Sequence, residues 1–150
     1  MREILFRGKR VDSGEWVYGN FIEDKWGDDN GNTIYAILQD RVAPDIAELW
    51  TPVRVIPETV GEFTGLTDKN GKKIFEGDIV ELDDRNYDTK WRAAVEFGNP
   101  NGNYSWGWQL SPIGKVDINT DILCWVEMEE TGAFCEVIGN IHDNPELLED

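Results

Sequence analysis

The fold is decided by residues 64–80, TGLTDKNGKKIFEGDIV. The Lys-Asn-Gly stretch at residues 69–71 predicts a tight turn, because Asn and Gly tolerate the positive φ that such turns need. Ile74 and Phe75 then enter a strand. The Glu-Gly-Asp stretch at residues 76–78 predicts a second turn, and the apolar residues after it begin another strand. This segment therefore predicts short strands joined by tight turns.

The same alternation of strands and turns extends to both sides of this segment. Turn signals rich in Asn, Asp and Gly recur at short spacing, and segments rich in aromatic and β-branched residues lie between them. This pattern is typical of an all-β protein. Trp16 and Tyr18 alternate with Val17 and Gly19, so these two pairs are expected on opposite faces of a strand. The predicted strands are residues 4–7, 15–23, 33–38, 53–56, 59–63, 78–82, 91–97, 107–110, 122–128 and 135–141.

One or two short helical turns are expected within this all-β chain. Residues 44–50 begin with Pro and carry acids in their first turn, and Pro52 ends the turn. Residues 144–148, Asn-Pro-Glu-Leu-Leu, predict an N-cap, a Pro at the first helical position and one closing turn. The 150 residues predict a single unit. A subdivision into residues 1–57 and 58–150 is expected where two prolines flank a short apolar run.

The chain is strongly acidic, with 30 Asp and Glu against 14 Lys and Arg, a net charge of −16 at pH 7 and a pI near 4.3. Direct binding to duplex DNA is not expected, because affinity depends on the Lys and Arg that neutralise phosphates. Residues 117–150 carry ten acidic side chains and no Lys or Arg, which indicates a solubilising surface. The alternatives are a surface that docks onto a basic partner or imitates DNA.

No membrane segment or complete catalytic motif is apparent in the sequence. No run of 18 apolar residues could span a membrane, and no apolar stretch follows the basic N-terminus, so a cytoplasmic protein is expected. His142 is the only histidine, and two buried free thiols are expected at Cys124 and Cys135. No cofactor or metal is expected. Because 30 acids guarantee some close carboxylate pairs, a divalent-metal-assisted carboxylate hydrolase is the enzymatic alternative.

Seven tryptophans are the most unusual feature of the composition. Large aromatic residues in a small β fold are usually core, but Trp is also enriched at interface hot spots. Trp106 and Trp108 share one face if their segment is extended. The candidate partner-binding residues are Trp91, Trp106 and Trp108. A nucleic-acid-associated protein is a further alternative, which requires six cations to gather on one face: Arg2, Arg7, Lys9, Arg10, Lys90 and Arg92.

Residues 64–80 resemble the signature of the YopX family, small proteins carried by phages and prophages. Residues 2–21, with their Phe-Arg-Gly-Lys and Trp-Val-Tyr-Gly stretches, resemble the opening of that family, and residues 135–148, CEVIGNIHDNPELL, resemble its closing segment. The resemblance implies an all-β fold in which an irregular N-terminal β-sheet region is joined to a small SH3-like barrel-type region. It also implies phage or prophage origin, and it supplies no catalytic residue, cofactor or ligand.

The sequence favours a non-enzymatic phage accessory protein that acts in the bacterial host cell. The acidic surface, the surplus of Trp and the lack of a complete catalytic motif support a module that binds a protein partner, from host or phage, or binds itself. Many short strands leave sheet edges that can pair between subunits, so a homo-oligomer is an alternative to a separate partner.

Overall fold

The computed structural model describes residues 3–39, 52–102, 106–126 and 132–149. The chain divides into two compact units, residues 1–63 and 64–150, a few residues beyond the expected division after Pro57. Most of the regular structure is antiparallel strand, which confirms the all-β class. The helix predicted at residues 44–50 lies outside the described residues. Within the described ranges, no helix is both long and apolar enough to cross a membrane.

The N-terminal unit is built on an antiparallel sheet whose strands follow one another as β4-β3-β2-β1-β5. Phe6 on β1 lies opposite Gly19 on β2, and Gly19 lies opposite Gln39 on β3. Only the beginning of β5 belongs to this unit, where Gly61 pairs with β1. The strands are β1 Phe6–Lys9, β2 Trp16–Asp24, β3 Ile34–Gln39, β4 Val53–Arg54 and β5 Gly61–Thr67.

The core of this unit is formed by Val17, Ile37 and Val55. The alternation predicted for β2 is confirmed, because Val17 and Gly19 are buried whereas Tyr18 is exposed. Gly8 on β1 fits closely beneath this core, since a β-carbon there would lie 3.1 Å from Cβ of Val55.

The C-terminal unit contains a second antiparallel sheet with the strand order β10-β7-β8-β9. The later half of β5 also lies in this unit, where it pairs with β6. A short helix, α1, lies between β9 and β10. The elements are β6 Lys73–Phe75, β7 Asp78–Asp84, β8 Lys90–Gly98, β9 Gly107–Pro112, α1 Leu123–Val126 and β10 Ala133–Asn140. The core comprises Ile74, Val80, Leu82, Ala93, Val95, Leu110, Ile122, Trp125, Ala133 and Cys135.

The turns predicted within residues 64–80 are confirmed, and buried polar side chains hold them. Asp68 Oδ1 accepts hydrogen bonds from the backbone N–H groups of Asn70 and Lys72, both at 2.9 Å. Asp78 Oδ2 accepts one from the N–H of Phe75 at 2.8 Å. These carboxylates accept hydrogen bonds from backbone N–H groups that have no backbone acceptor in a tight turn. The segment therefore determines the local fold.

The strand predicted at residues 122–128 is wrong over residues 123–126, which form helix α1. Asn119 Oδ1 accepts a hydrogen bond from the N–H of Asp121 at 3.0 Å, and Asp121 Oδ1 accepts one from the N–H of Leu123 at 3.1 Å. Two successive side-chain caps of this kind turn the chain into a helix despite its aromatic and β-branched composition.

The expected SH3-like barrel is not found, since the described residues form no closed barrel. The edge strands of the second sheet are β10 and β9, which would have to pair with each other to close a barrel. Residues from outside the sheet already form hydrogen bonds with both strands. On β10, the C=O of Cys135 accepts a hydrogen bond from Lys69 (3.1 Å), and the N–H of Val137 donates one to Asp68 Oδ2 (2.9 Å). On β9, the N–H of Leu110 donates to the C=O of Thr120 (2.9 Å).

The closing turn predicted near the C-terminus is a 3-10 turn at Pro145–Leu148, but its predicted cap is used differently. The Asn144 side chain accepts no backbone N–H of this turn and only donates a long hydrogen bond, from Nδ2 to Glu146 Oε1 at 3.4 Å. Its Oδ1 instead accepts a hydrogen bond from the N–H of Asn140 at 3.2 Å. Gly139 lacks a β-carbon where this side chain passes, and a larger residue would overlap with the Asn144 carboxamide.

Candidate functional site

An open groove of about 370 Å³ lies within the C-terminal unit. One wall comes from β9 and the residue before it, and the other comes from the start of α1 and the segment that leads into it. The later half of β5 contributes an apolar side chain. The residues that matter here are Trp106, Trp108, Gln109, Asp121, Leu123 and Leu66.

Aromatic side chains dominate one wall of the groove. Trp106 is 77% exposed, and its indole lies over Gly98, where a β-carbon would stand 3.7 Å from Cζ3 of the ring. Trp108 is half-buried and packs against the core of the unit. Across the strand pair, Phe97 meets Trp108 edge to face with ring centroids 4.9 Å apart, yet Phe97 is 61% exposed. The wall thus presents apolar surface to water.

Two polar side chains also line the groove and are fixed by hydrogen bonds. Gln109 is only 3% exposed, and its Oε1 accepts a hydrogen bond from Thr120 Oγ1 at 3.2 Å. Asp121 uses Oδ1 to cap Leu123. The backbones of Gln109 and Asp121 also form a β-bridge, so β9 and the segment before α1 hold these two side chains in place.

The structure brings together two of the three tryptophans predicted to bind a partner. Trp106 and Trp108 line the same groove, whereas Trp91 does not line it. Trp91 is half-buried beside the core and meets Trp125 and Tyr87 edge-on, with centroid distances of 6.2 and 5.9 Å. It therefore contributes to packing.

Sequence reasoning missed the other groove residues for a physical reason. Gln109 enters the site because β9 forms a bridge with Asp121, a pairing that no short sequence pattern reveals. Asp121 carried a readable signal, because Asn119 and Asp121 precede an apolar run in the manner of a helix start. Trp26 was also not singled out, although it is 95% exposed in the N-terminal unit.

The N-terminal cations proposed for nucleic acid are engaged within their own unit. The guanidinium of Arg7 lies 4.6 Å from the centroid of the Trp16 ring, and Lys9 Nζ lies 5.5 Å from it. Arg10 forms an ion pair with Asp12 at 2.8 Å. Position 2 lies outside the described residues.

The two cations beside Trp91 are engaged in the same way. Lys90 pairs with Glu81 at 3.4 Å. Arg92 donates hydrogen bonds to the carbonyl oxygens of Leu147 and Glu149, both at 2.9 Å, and so ties the C-terminal segment to β8. A shared basic face formed by all six cations stays a prediction.

Both cysteines are free, as predicted, but the prediction that both are buried is wrong for Cys124. Cys135 is buried in the core, and this burial, together with the nearby Asp68 carboxylate, raises the pKa of its thiol to about 12. Cys124 is half-buried, and its Sγ accepts a hydrogen bond from Asn119 Nδ2 at 3.0 Å. Among the described residues, no group of three or more His, Cys, Asp or Glu side chains is placed to hold a metal ion.

The chain is similar to known proteins in both sequence and fold. A family model described as YopX protein matches residues 5–149. The chain belongs to the YopX family. The crystal structure of protein EF1440 from Enterococcus faecalis is similar in fold, with a TM-score of 0.51 and 24% identity over 99% of this chain and 100% of that one. No curated protein matches the chain.

In this YopX-family chain, the signature and the groove meet only in part. Asp68 and Asp78 of the signature hold turns, whereas Leu66 of the same segment lines the groove. The tryptophans of the groove lie well outside the signature. A cleft of mixed polar and apolar lining, with one carboxylate and one carboxamide held by hydrogen bonds, is suited to binding an amphipathic segment.

Proposed function

We propose that this YopX-family protein is a non-enzymatic phage or prophage accessory module that binds a protein partner through its aromatic groove. Trp106 carries the proposal, because it is 77% exposed at the rim of a groove that Trp108 also lines. Phe97, which is also exposed, packs against Trp108. Aromatic surface grouped around a cleft is typical of protein-binding sites, where Trp is enriched among the residues that dominate affinity.

The size and position of the groove support an extended segment of the partner as the group that enters it. A cavity of about 370 Å³ has room for one large side chain with its flanking backbone, near the lower limit of ligand sites. β9 is an edge strand, and the N–H of Leu110 points outward to Thr120. Because the segment before α1 already pairs with β9 at Gln109, contacts with the side chains of the groove, and not an added strand, hold the partner segment.

Affinity capture from a bacterial host lysate, with and without nuclease, tests this function. The baits are the unaltered protein, Trp106→Ala and Trp26→Ala. Trp26 is a matched control, because it is an exposed tryptophan of the N-terminal unit that does not line the groove. We expect one near-stoichiometric protein that survives nuclease with the unaltered and Trp26→Ala baits. Trp106→Ala should lose it, since truncating a hot-spot Trp weakens binding about thirtyfold.

Three outcomes would contradict the proposal. These are undiminished capture by Trp106→Ala, capture that disappears with nuclease, and recovery of the bait alone. The first would show that the groove is not the docking surface. The second would indicate a nucleic-acid-associated protein, and the third would argue against a separate protein partner.

A further inference from the structure

We infer that the groove receives an arginine side chain of the partner protein, stacked on the indole of Trp106 and paired with the carboxylate of Asp121. The inference rests on the proposed function and names the chemistry by which that site recognises its partner. Its support comes from the charge of the groove, the aromatic faces within it and the use of the same contact elsewhere in the fold.

The groove contains a negative charge and no positive one among its described lining residues. Asp121 Oδ1 is occupied by the N–H of Leu123. Oδ2 makes no hydrogen bond or ion pair with the residues that the structure describes, so it is the oxygen that a ligand can engage. A groove lined by both a carboxylate and aromatic rings offers a cation both an ion pair and a ring face.

Aromatic rings favour arginine over other cations in such a setting. The guanidinium is planar and weakly hydrated, so it can stack on an indole while its N–H groups reach a carboxylate. Guanidinium groups lie over aromatic rings at two other places in the fold. Arg7 lies 4.6 Å from the centroid of Trp16, and Arg85 lies 4.6 Å from that of Phe134. Trp106 presents an exposed ring of the same kind at the groove.

The charge of the unit favours the approach of a basic segment. Residues 64–150 carry 18 acidic and 7 basic side chains, a net charge of −11. Such a field raises the local concentration of a cationic partner and speeds its encounter. The long-range charge and the contact at Asp121 therefore select the same class of ligand.

Two model peptides test the inference on the full-length protein. The probes are acetyl-Gly-Arg-Gly-amide and the same peptide with citrulline, whose neutral urea matches the shape of the guanidinium. The indole N–H signals of the ¹⁵N-labelled protein are followed by NMR and assigned with Trp106→Phe and Trp108→Phe. We expect the arginine peptide to shift the Trp106 and Trp108 signals at least about twofold more than citrulline does at equal concentration.

Asp121→Asn isolates the charge, because the amide retains the oxygen that caps Leu123. Asp117→Asn is the matched control, since it makes the same change of charge at an exposed position four residues earlier. We expect Asp121→Asn to weaken binding of the arginine peptide about fivefold, as for a partly exposed ion pair. Asp117→Asn should leave the titration unchanged.

Equal shifts with arginine and citrulline would overturn the inference, as would shifts confined to other indoles. An effect of Asp117→Asn equal to that of Asp121→Asn would overturn it too, because general charge would then explain the binding. Failure here is distinguishable from failure of the proposed function. If Trp106→Ala loses the captured partner while the peptides are equivalent, the groove binds a partner without an arginine. If Trp106→Ala retains the partner, the proposed function itself is wrong.

Discussion

At the scale of single residues, Asp68 shows how the signature acts on the fold. Its buried carboxylate accepts backbone hydrogen bonds from Asn70 and Lys72 within the turn and from Val137 on β10, each at 2.9 Å. The turn could be predicted from Asn70 and Gly71, which supply the conformation that a hairpin needs. The bond to Val137 could not, because a contact between residues 69 positions apart depends on strand register.

Replacement of Asp68 should be among the most destabilising changes to a polar residue in this protein. Asp68→Ala leaves three N–H groups without their charged acceptor, and we expect a loss of about 3 kcal/mol in the free energy of unfolding. Asp68→Asn retains one acceptor oxygen and should lose less. Chemical denaturation measures both, with Asp88→Ala as the control at an exposed carboxylate. A loss for Asp68→Ala no larger than the control's would contradict the structural role of this carboxylate.

The two thiols should differ sharply in reactivity. Burial first, and the Asp68 carboxylate second, raise the pKa of Cys135 to about 12, so at pH 8 only about one thiol in ten thousand is the reactive thiolate. We expect an alkylating reagent to label the half-buried Cys124 and to spare Cys135 until the protein unfolds. Mass spectrometry of Cys124→Ala, in buffer and in denaturant, checks this. Rapid labelling of folded Cys124→Ala would be incompatible with a buried Cys135.

The three candidate tryptophans differ in how far the sequence alone predicts where they lie in the fold. Trp106 and Trp108 are separated by one residue, and that spacing alone places them on one face of an extended segment. Trp91 has cations on both sides and resembles a surface residue. On β8, however, alternate side chains point to opposite faces, so Trp91 packs beside Trp125 while Lys90 stays exposed and Arg92 bonds to the C-terminal segment.

At the scale of elements, α1 illustrates how local capping overrides composition. Residues 122–126 are aromatic and β-branched, which favours strand. Side-chain caps at Asn119 and Asp121 form a helical turn instead, and Trp125 then enters the core with its Nε1–H donated to the C=O of Asn119 at 2.8 Å. The signal was present in the sequence as two Asx residues before an apolar run.

Two substitutions of Asp121, which caps α1, should differ in their effect on the free energy of unfolding. Asp121→Ala removes the oxygen that caps Leu123 and should lower the free energy of unfolding by about 1 kcal/mol. Asp121→Asn retains an oxygen there and should change stability much less. Thermal and chemical denaturation compare the two. Equal stability of the alanine variant and the unaltered protein would show that the cap does not hold α1.

The positions of most strands could be predicted from the sequence, but whether the second sheet closes into a barrel could not. Turn spacing predicted most strands within a few residues, because Gly, Asn and Asp mark their ends. The edges of the second sheet are set by contacts that no local pattern encodes. The residues around Asp68 cover β10, and Thr120 covers part of β9. The expected barrel therefore gave way to an open sheet whose β9 edge borders the groove.

At the scale of the whole molecule, the net charge follows directly from the sequence, but the role of the acidic surface does not. The chain carries −16, and the sequence alone left a solubilising surface and a docking surface open. The structure places Asp121 among the groove tryptophans, within the more acidic unit. Because this link depends on topology, composition could not reveal it.

The proposed charge complementarity predicts that salt acts mainly on association. Raising NaCl from about 50 to about 500 mM shortens the screening length severalfold. We expect the association rate constant of the captured partner to fall by an order of magnitude or more, with a much smaller change in dissociation. Surface plasmon resonance measures both rates. An association rate independent of salt would contradict recognition of a basic segment.

The central claim is that the exposed aromatic groove binds a partner protein, and calorimetric titration of the purified partner tests it most directly. The titration compares the unaltered protein, Trp106→Ala and the control Trp26→Ala. Both substitutions remove a highly exposed indole, but only the first changes the groove. We predict a dissociation constant about thirtyfold higher for Trp106→Ala and unchanged for Trp26→Ala. Equal affinity for all three proteins would contradict the claim.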